Sequence, residues 1–174
     1  MSKSLNIIHC FRSPVGGIFR HVRDLLKEQS KVGHQIGIIC DSTTGDDFED
    51  RLFDEIRPQL SLGLHRIPMA RSISVKDLSA LIKTKNIIKS IAPDVVHCHS
   101  AKGGVYGRIG AWLVDKNIKT FYCPHGGAMH YDADSIKGKF LFLIERFLER
   151  MTTSLIFVSE FERQSYLQLS LIHI

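Results

Sequence analysis

Asp94-Val95-Val96-His97-Cys98-His99-Ser100-Ala101-Lys102-Gly103-Gly104 reads as a strand that turns directly into a helix. Pro93 precedes it and ends a helix, because proline has no amide hydrogen and restricts the residue before it. Asp94 to His99 is short and mostly apolar, as a buried strand is. Lys102-Gly103-Gly104 then open a helical spacing through Tyr106, Ile109, Trp112 and Leu113. The polar, glycine-rich joint lies at the strand's carboxyl end. In open α/β sheets that edge gathers ligands, since loop amides and helix amino termini converge there.

The same unit recurs along the chain. Leu5 to Cys10 is a first apolar strand, broken by Phe11-Arg12-Ser13-Pro14-Val15-Gly16-Gly17 and followed by a helix from Ile18 to Lys31. Ile18, Val22, Leu25 and Leu26 mark its buried face, and Gly33 closes it. Gln35 to Asp41 is a second strand, an acidic helix surrounds Phe48, Leu52 and Ile56, and Leu64 to Met69 is a third strand. A helix from Asp77 to Ile91 leads into the strand quoted above. Ile118 to Cys123 is the fifth strand and ends at Pro124-His125-Gly126-Gly127; a helix from Ser135 to Met151 and a sixth strand from Leu155 to Val158 follow.

Strands alternating with helices require crossover connections. The expected fold is α/β, a doubly wound Rossmann-like parallel sheet with helices on both faces, spanning residues 1–168. Residues 169–174, Leu-Ser-Leu-Ile-His-Ile, form an apolar tail assigned to no element and read as a truncation scar.

The chain has 174 residues, 44% hydrophobic and 24% charged, enough for one domain with a sizeable core. Its formal net charge of +5 suits an anionic ligand or membrane surface. Nucleic acid is not expected, because no dense Lys/Arg tract with interleaved aromatics is present. Cys10, Cys40, Cys98 and Cys123 fall within or at the end of apolar strands, as reduced core residues of a cytoplasmic protein do. The apolar run around Ile7 and Ile8 is too short for a signal-peptide core, and no stretch is long enough to span a bilayer.

Chemistry is expected where the strand ends meet. Gly16 and Gly17 let backbone amides approach a ligand, although the pair is not the G-x-G-x-x-G of a dinucleotide enzyme. Asp41 could stand in for the ribose-binding acid of such enzymes, but that glycine fingerprint is missing. His97 and His99 share one strand face while Cys98 points to the other, and no C-x-x-C or H-E-x-x-H spacing occurs, so no metal is expected. His97 reads as a satisfied core histidine; His99, nearer the open edge, suits either a structural or a functional role. Ser100 and Lys102 occupy the same joint. His125, followed by Gly126 and Gly127, can orient a hydroxyl or donate to a developing charge, or the loop is only a tight turn. In the helix from Ser135 to Met151, Phe140, Leu143, Ile144, Phe147, Leu148 and Met151 recur at core spacing. Leu141 and Phe142 widen the apolar arc enough to allow a membrane-surface helix over 135–151.

Val15-Gly-Gly-Ile-Phe-Arg-His-Val22, Pro93-Asp-Val-Val-His-Cys-His-Ser100, Pro124-His-Gly-Gly127 and Val158-Ser-Glu-Phe-Glu162 resemble, in order and spacing, the amino-terminal domain of family 4 glycosyltransferases. Those are retaining enzymes of the two-domain GT-B architecture, so the resemblance implies one half of that architecture. It implies transfer of a sugar from a UDP- or GDP-linked donor to a sugar or lipid-linked acceptor, without a cofactor, in cell-surface polysaccharide or lipopolysaccharide synthesis. By the same resemblance His125 lies by the reacting sugar, His99 is a pocket histidine, and Gly16 and Gly17 approach the donor diphosphate. Ser100, Lys102, Gly126, Gly127 and Glu160 join them as substrate- or donor-binding candidates. The family's second domain, with its basic pair and glutamate motif, has no counterpart after Glu160, so this chain alone is expected to be inactive. The alternative is a self-contained Rossmann-like module that binds a nucleotide or a partner without catalysis.

Overall fold

A computed structural model describes residues 3–126 and 135–168. Its strands are β1 (Asn6–Cys10), β2 (Gln35–Asp41), β3 (Gly63–Ile67), β4 (Val95–His99), β5 (Lys119–Cys123) and β6 (Ser154–Leu155). Its helices are α1 (Gly16–Lys31), α2 (Asp47–Ile56), α3 (Lys76–Ile91), α4 (Ser100–Val114), α5 (Ile136–Glu149) and α6 (Glu160–Gln168). The six strands form one parallel sheet in the order β3-β2-β1-β4-β5-β6. The chain therefore works outward from β1 to one edge and then crosses back to β4. Between β1 and β4 the direction of travel reverses, and the crevice at their carboxyl ends is where such sheets bind ligands.

Alternation along each strand separates two cores. Ile8, Cys10, Ile39, Val96, Cys98 and Tyr122 pack with α3 and α4 on one face. Phe11, Ile36, Ile38 and Cys40 pack with Phe19, Val22 and Leu26 of α1 and Phe53 and Ile56 of α2 on the other. Phe19 replaces Ile18 and Leu25 as a principal α1 anchor; those two are half-buried.

Helix α4 corrects the expected apolar stripe. Trp112 and Leu113 are exposed, and the buried face is Gly103, Gly104, Tyr106, Gly107, Arg108, Gly110 and Ala111. The helix lies so close to the sheet that a Cβ on Gly103 would stand 2.4 Å from the Cys10 carbonyl oxygen, and one on Gly107 2.5 Å from Cys98 Sγ. These glycines serve packing.

Two strands end earlier than the apolar runs suggest. At β3, Pro68 cannot donate to the ladder and the Met69 amide donates to the Asp41 carboxylate. At β6, the Ile156 amide still donates to the Tyr122 carbonyl, but the Val158 amide turns to the Glu162 carboxylate.

Helix α5 is rotated from its expected setting. Leu148 is buried and Phe142 packs on the core, whereas Phe140, Leu143 and Phe147 face solvent. The cause is Glu145, which reaches inward to Arg108 at 2.8 Å; both side chains are almost wholly buried. Arg108 also lies over the Tyr122 ring, 3.8 Å from its centroid, and donates to the Gly104 carbonyl. A carboxylate committed to a buried guanidinium fixes which face of α5 turns inward.

Candidate functional site

β1 and β4 carry the same pattern at their buried ends, Ile7-Ile8-His9-Cys10 and Val95-Val96-His97-Cys98, and they pair in register with His9 beside His97 and Cys10 beside Cys98. His99 is paired with Cys123 of β5. The pleat therefore sends His9, His97 and His99 to the α1 face and Cys10 and Cys98 to the other. His21, in the second turn of α1, packs on the His99 and His125 rings with centroids 5.9 and 5.1 Å away. Five imidazoles thus gather under the carboxyl ends of β1, β4 and β5.

They are joined by a directed chain of hydrogen bonds. His9 Nε2 lies 2.8 Å from the Gln29 amide oxygen, which only accepts, so His9 carries its proton on Nε2. His9 Nδ1 then accepts from His99 Nε2 at 3.0 Å, and His99 Nδ1 accepts from His125 Nε2 at 3.1 Å. The relay leaves Nδ1 of His125 as an unprotonated acceptor at the half-buried end. His97 is buried, but its Nε2 has no hydrogen-bond partner among the described residues, contrary to the satisfied core histidine expected; the Nε2 of His21 is likewise buried and unpartnered among them. Burial favours the neutral forms of His9, His97, His99 and His125. It lowers His9 to about 4, aided by the neighbouring His21 and opposed by the Gln29 bond. It lowers His97 and His99 as well, each reinforced by neighbouring imidazoles. His125 is lowered by burial and by His21, against an opposing pull from Glu162.

The backbone at this rim is held in sparsely populated conformations. His125 has φ 50°, Ser100 φ 60°, and Gly16 φ 65°. For the two non-glycine residues this left-handed setting is uncommon and costs on the order of 1–3 kcal/mol each, so the surroundings must impose it. One restraint on the His125 turn is Glu162, buried, whose carboxylate accepts from the Gly126 and Val158 amides at 2.9 Å. The Ser-x-x-Glu spacing of Ser159 and Glu162 is a helix-start signature that could have singled it out. His9 also escaped notice, although the doubled Ile-Ile-His-Cys and Val-Val-His-Cys pattern was its signal.

The other sequence candidates separate clearly. Gly16 and Gly17 are exposed at the start of α1, and a Cβ on either would meet nothing within 4 Å. α1 and α4 both begin at this rim without a capping side chain or an acid in the first turn, whereas α2 has a full capping box. Their first amides are thus available to a ligand. Lys102 turns away: its ammonium pairs with Asp77 at 2.6 Å and donates to the Ser72 carbonyl. Glu160 is exposed and tied to Arg163 and Gln164. The Asp41 carboxylate is consumed by Thr43, Thr44 and the Met69 amide, which leaves it closed to a ribose. Gly127 lies outside the described residues.

A cavity of about 260 Å³ lined by Trp112, Lys116, Thr120 and Thr153 lies at the opposite, amino edge of the sheet.

The family description Glycosyltransferase Family 4 matches residues 15–172. The chain belongs to glycosyltransferase family 4. Over 93 residues it is 36% identical to a UDP-Gal:alpha-D-GlcNAc-diphosphoundecaprenol alpha-1,3-galactosyltransferase of Escherichia coli, covering 51% of this chain and 23% of that protein. Among solved structures it is similar to a sucrose-phosphate synthase of Thermosynechococcus elongatus, with a TM-score of 0.61, 16% identity, and coverage of 94% of this chain and 44% of that one. It is also similar to a UDP-N-acetylglucosamine 2-epimerase, with a TM-score of 0.65, 13% identity, and coverage of 96% and 43%. The family 4 chain therefore spans less than half the length of these proteins, and its fold is that of an amino-terminal GT-B domain.

Proposed function

We propose that this family 4 domain forms the acceptor-side wall of a retaining transferase that moves a sugar from a UDP- or GDP-linked donor to a lipid-diphosphate-linked or other sugar acceptor. The single observation that carries the reading is the relay ending in His125: a neutral imidazole whose Nδ1 is left as an acceptor at the rim, beside two uncapped helix amino termini. Nδ1 accepts from a sugar hydroxyl and orients the ring that reacts. The open amides at Gly16 and Gly17 take a phosphate oxygen, because no side chain intervenes and the α1 dipole favours negative charge. No resident cofactor is needed for these steps. A second domain supplies the cations for the departing diphosphate, and without it the two substrates are not held in line.

The galactosyltransferase relative acts on a diphosphoundecaprenol-linked sugar, which favours a lipid-linked acceptor and synthesis of a cell-surface glycan. Ile136, Phe140, Leu143 and Phe147 form an exposed apolar stripe on α5, with Lys139 and Arg150 also exposed. Such a helix suits peripheral contact with an anionic inner membrane face. Among the described residues no helix is long and apolar enough to cross a membrane. Loss of sedimentation with anionic vesicles in Leu143→Ser would support this contact; unchanged sedimentation would refute it.

The test of function is a transfer assay with labelled UDP- and GDP-sugars and a polyprenyl-diphosphate sugar, run on this chain and on a two-domain protein that carries it. The two-domain protein should transfer, His125→Ala should reduce its turnover by about 10²-fold or more, and the chain alone should show none. Turnover by the chain alone, or an undiminished His125→Ala, would contradict the reading.

A further inference from the structure

The histidine relay also brings together a set of metal-ligating atoms that no spacing in the sequence announces. One ring nitrogen each of His21, His99 and His125 and the Cys123 sulfur all lie within 4.8 Å of one another. They come from α1, the last residues of β4 and β5, and the turn after β5, so the sheet and one helix hold them independently. In a tetrahedral zinc site with about 2.0–2.3 Å bonds the ligand atoms stand roughly 3.3–3.8 Å apart, so small side-chain rotations suffice.

Two features separate this group from a chance cluster. The His21 Nε2 is buried and unpartnered, an orphan that coordination would satisfy. The His99 ring is oriented as a metal ligand's is: its Nε2–H donates to His9, itself fixed by Gln29, and its Nδ1 lone pair turns toward His125. The Cys123 thiol must give up its proton to bind, because burial, reinforced by Glu162 and opposed by the His125 amide, pushes it up to about 12.

We propose that His21, His99, Cys123 and His125 bind one divalent cation of the zinc class. The cation replaces the proton shared between His99 and His125: His99 binds through Nδ1, His125 moves its proton to Nδ1 and binds through Nε2, and Cys123 releases its thiol proton to solvent as the sulfur–metal bond forms. The site keeps a single positive charge from Zn²⁺ and one thiolate. Because His125 is shared, the metal turns its Nδ1 from an acceptor into a donor toward the sugar; that corollary, unlike the binding itself, rests on the proposed function.

The experiment titrates the purified 174-residue chain, without a polyhistidine tag, with Co²⁺ and then Zn²⁺. Saturation at one Co²⁺ per chain is expected, with the visible absorption of a four-coordinate ion and a thiolate-to-cobalt charge-transfer band, both lost on adding Zn²⁺. Cys123→Ser should abolish the charge-transfer band. His21→Ala, whose ring is half-buried on α1, should weaken binding by about tenfold or more, with far-UV circular dichroism confirming the fold of each variant. A folded wild-type chain that takes up no stoichiometric Co²⁺ would overturn the proposal. So would a charge-transfer band that survives Cys123→Ser, or an unchanged affinity in folded His21→Ala. No sugar enters the assay, so its failure leaves the transferase reading standing.

Discussion

Nε2 of His125 stands 3.1 Å from Nδ1 of His99, which makes the left-handed turn after β5 the end of a hydrogen-bonded chain that begins on α1. Its direction is set at the far end by the Gln29 amide oxygen. Gln29→Leu removes that acceptor and leaves the His9 Nε2–H buried without a partner, which costs about 1–3 kcal/mol. It also frees the tautomers downstream. Ring-nitrogen NMR shifts should show His9, His99 and His125 as Nε2–H forms in the wild type, and a mixture with Nδ1–H forms in Gln29→Leu. Lower stability with unchanged tautomers would reduce Gln29 to a packing role.

The buried imidazoles also set a pH dependence. His9 is held at about 4 and His97 lower still, against 6.5 for a free side chain. Between these values the unfolded chain binds protons that the folded chain refuses, so stability is complete above about 6.5 and falls as the pH drops. Two such rings alone contribute a slope of about 3 kcal/mol per pH unit between roughly pH 6 and pH 4. Asp41 adds a loss at lower pH: burial pushes its carboxyl up, but bonds from Thr44, Met69 and Thr43 more than reverse that and hold it below the usual range. Urea midpoints at a series of pH values check this. A flat profile from pH 7 to pH 5 would contradict it.

Arg108 and Glu145 tie α4 to α5 through a fully desolvated pair. Arg108→Met leaves the Glu145 carboxylate buried and unpaired and should cost about 3–5 kcal/mol. Replacing both, as Arg108→Met with Glu145→Leu, should recover most of the loss. Denaturant midpoints at constant slope are the measurement, and a double variant as weak as the single one would place the cost elsewhere.

Two glycines near the rim should respond oppositely to alanine. At Gly103 the new Cβ meets the Cys10 carbonyl oxygen and the Phe11 Cα, both backbone, so β1 and α4 must separate at a cost of about 1–3 kcal/mol or more. At Gly17 it meets nothing, and the fold should change by no more than about 0.5 kcal/mol. A phosphate resting on the Gly17 amide should nonetheless bind about tenfold more weakly. Thermal unfolding reads the first effect and ligand titration the second; equal effects on stability would remove the distinction.

The architecture was legible because parallel strands buried on both faces leave continuous apolar runs, and each of the six ends at a polar or proline-containing break. Helix orientation was not. Apolar spacing on α5 favoured Phe140, Leu143 and Phe147 for the core, but a single buried ion pair at Glu145 outweighed it. Of the candidate site, the juxtaposition was legible at His99 and His125, which stand at strand ends beside turn residues. His9 and Gln29 act through neighbours distant in the chain, and sequence distance hides that pairing. Lys102 was a candidate for its place at the strand-to-helix joint and Glu160 for its match to the family's helix start, yet each has a nearer partner.

The central claim is that Gly16, Gly17, His99 and His125 form one wall for a phosphorylated sugar. The most direct measurement is a ¹⁵N NMR titration of this chain with a polyprenyl-diphosphate sugar and, separately, with UDP- and GDP-sugars. Joint displacement of the Gly16, Gly17, Ser100, His125 and Gly126 amides, with the Trp112 and Thr153 amides unmoved, is the expected result. Displacement confined to the opposite edge around Trp112 and Thr153, or none at saturating acceptor, would contradict it.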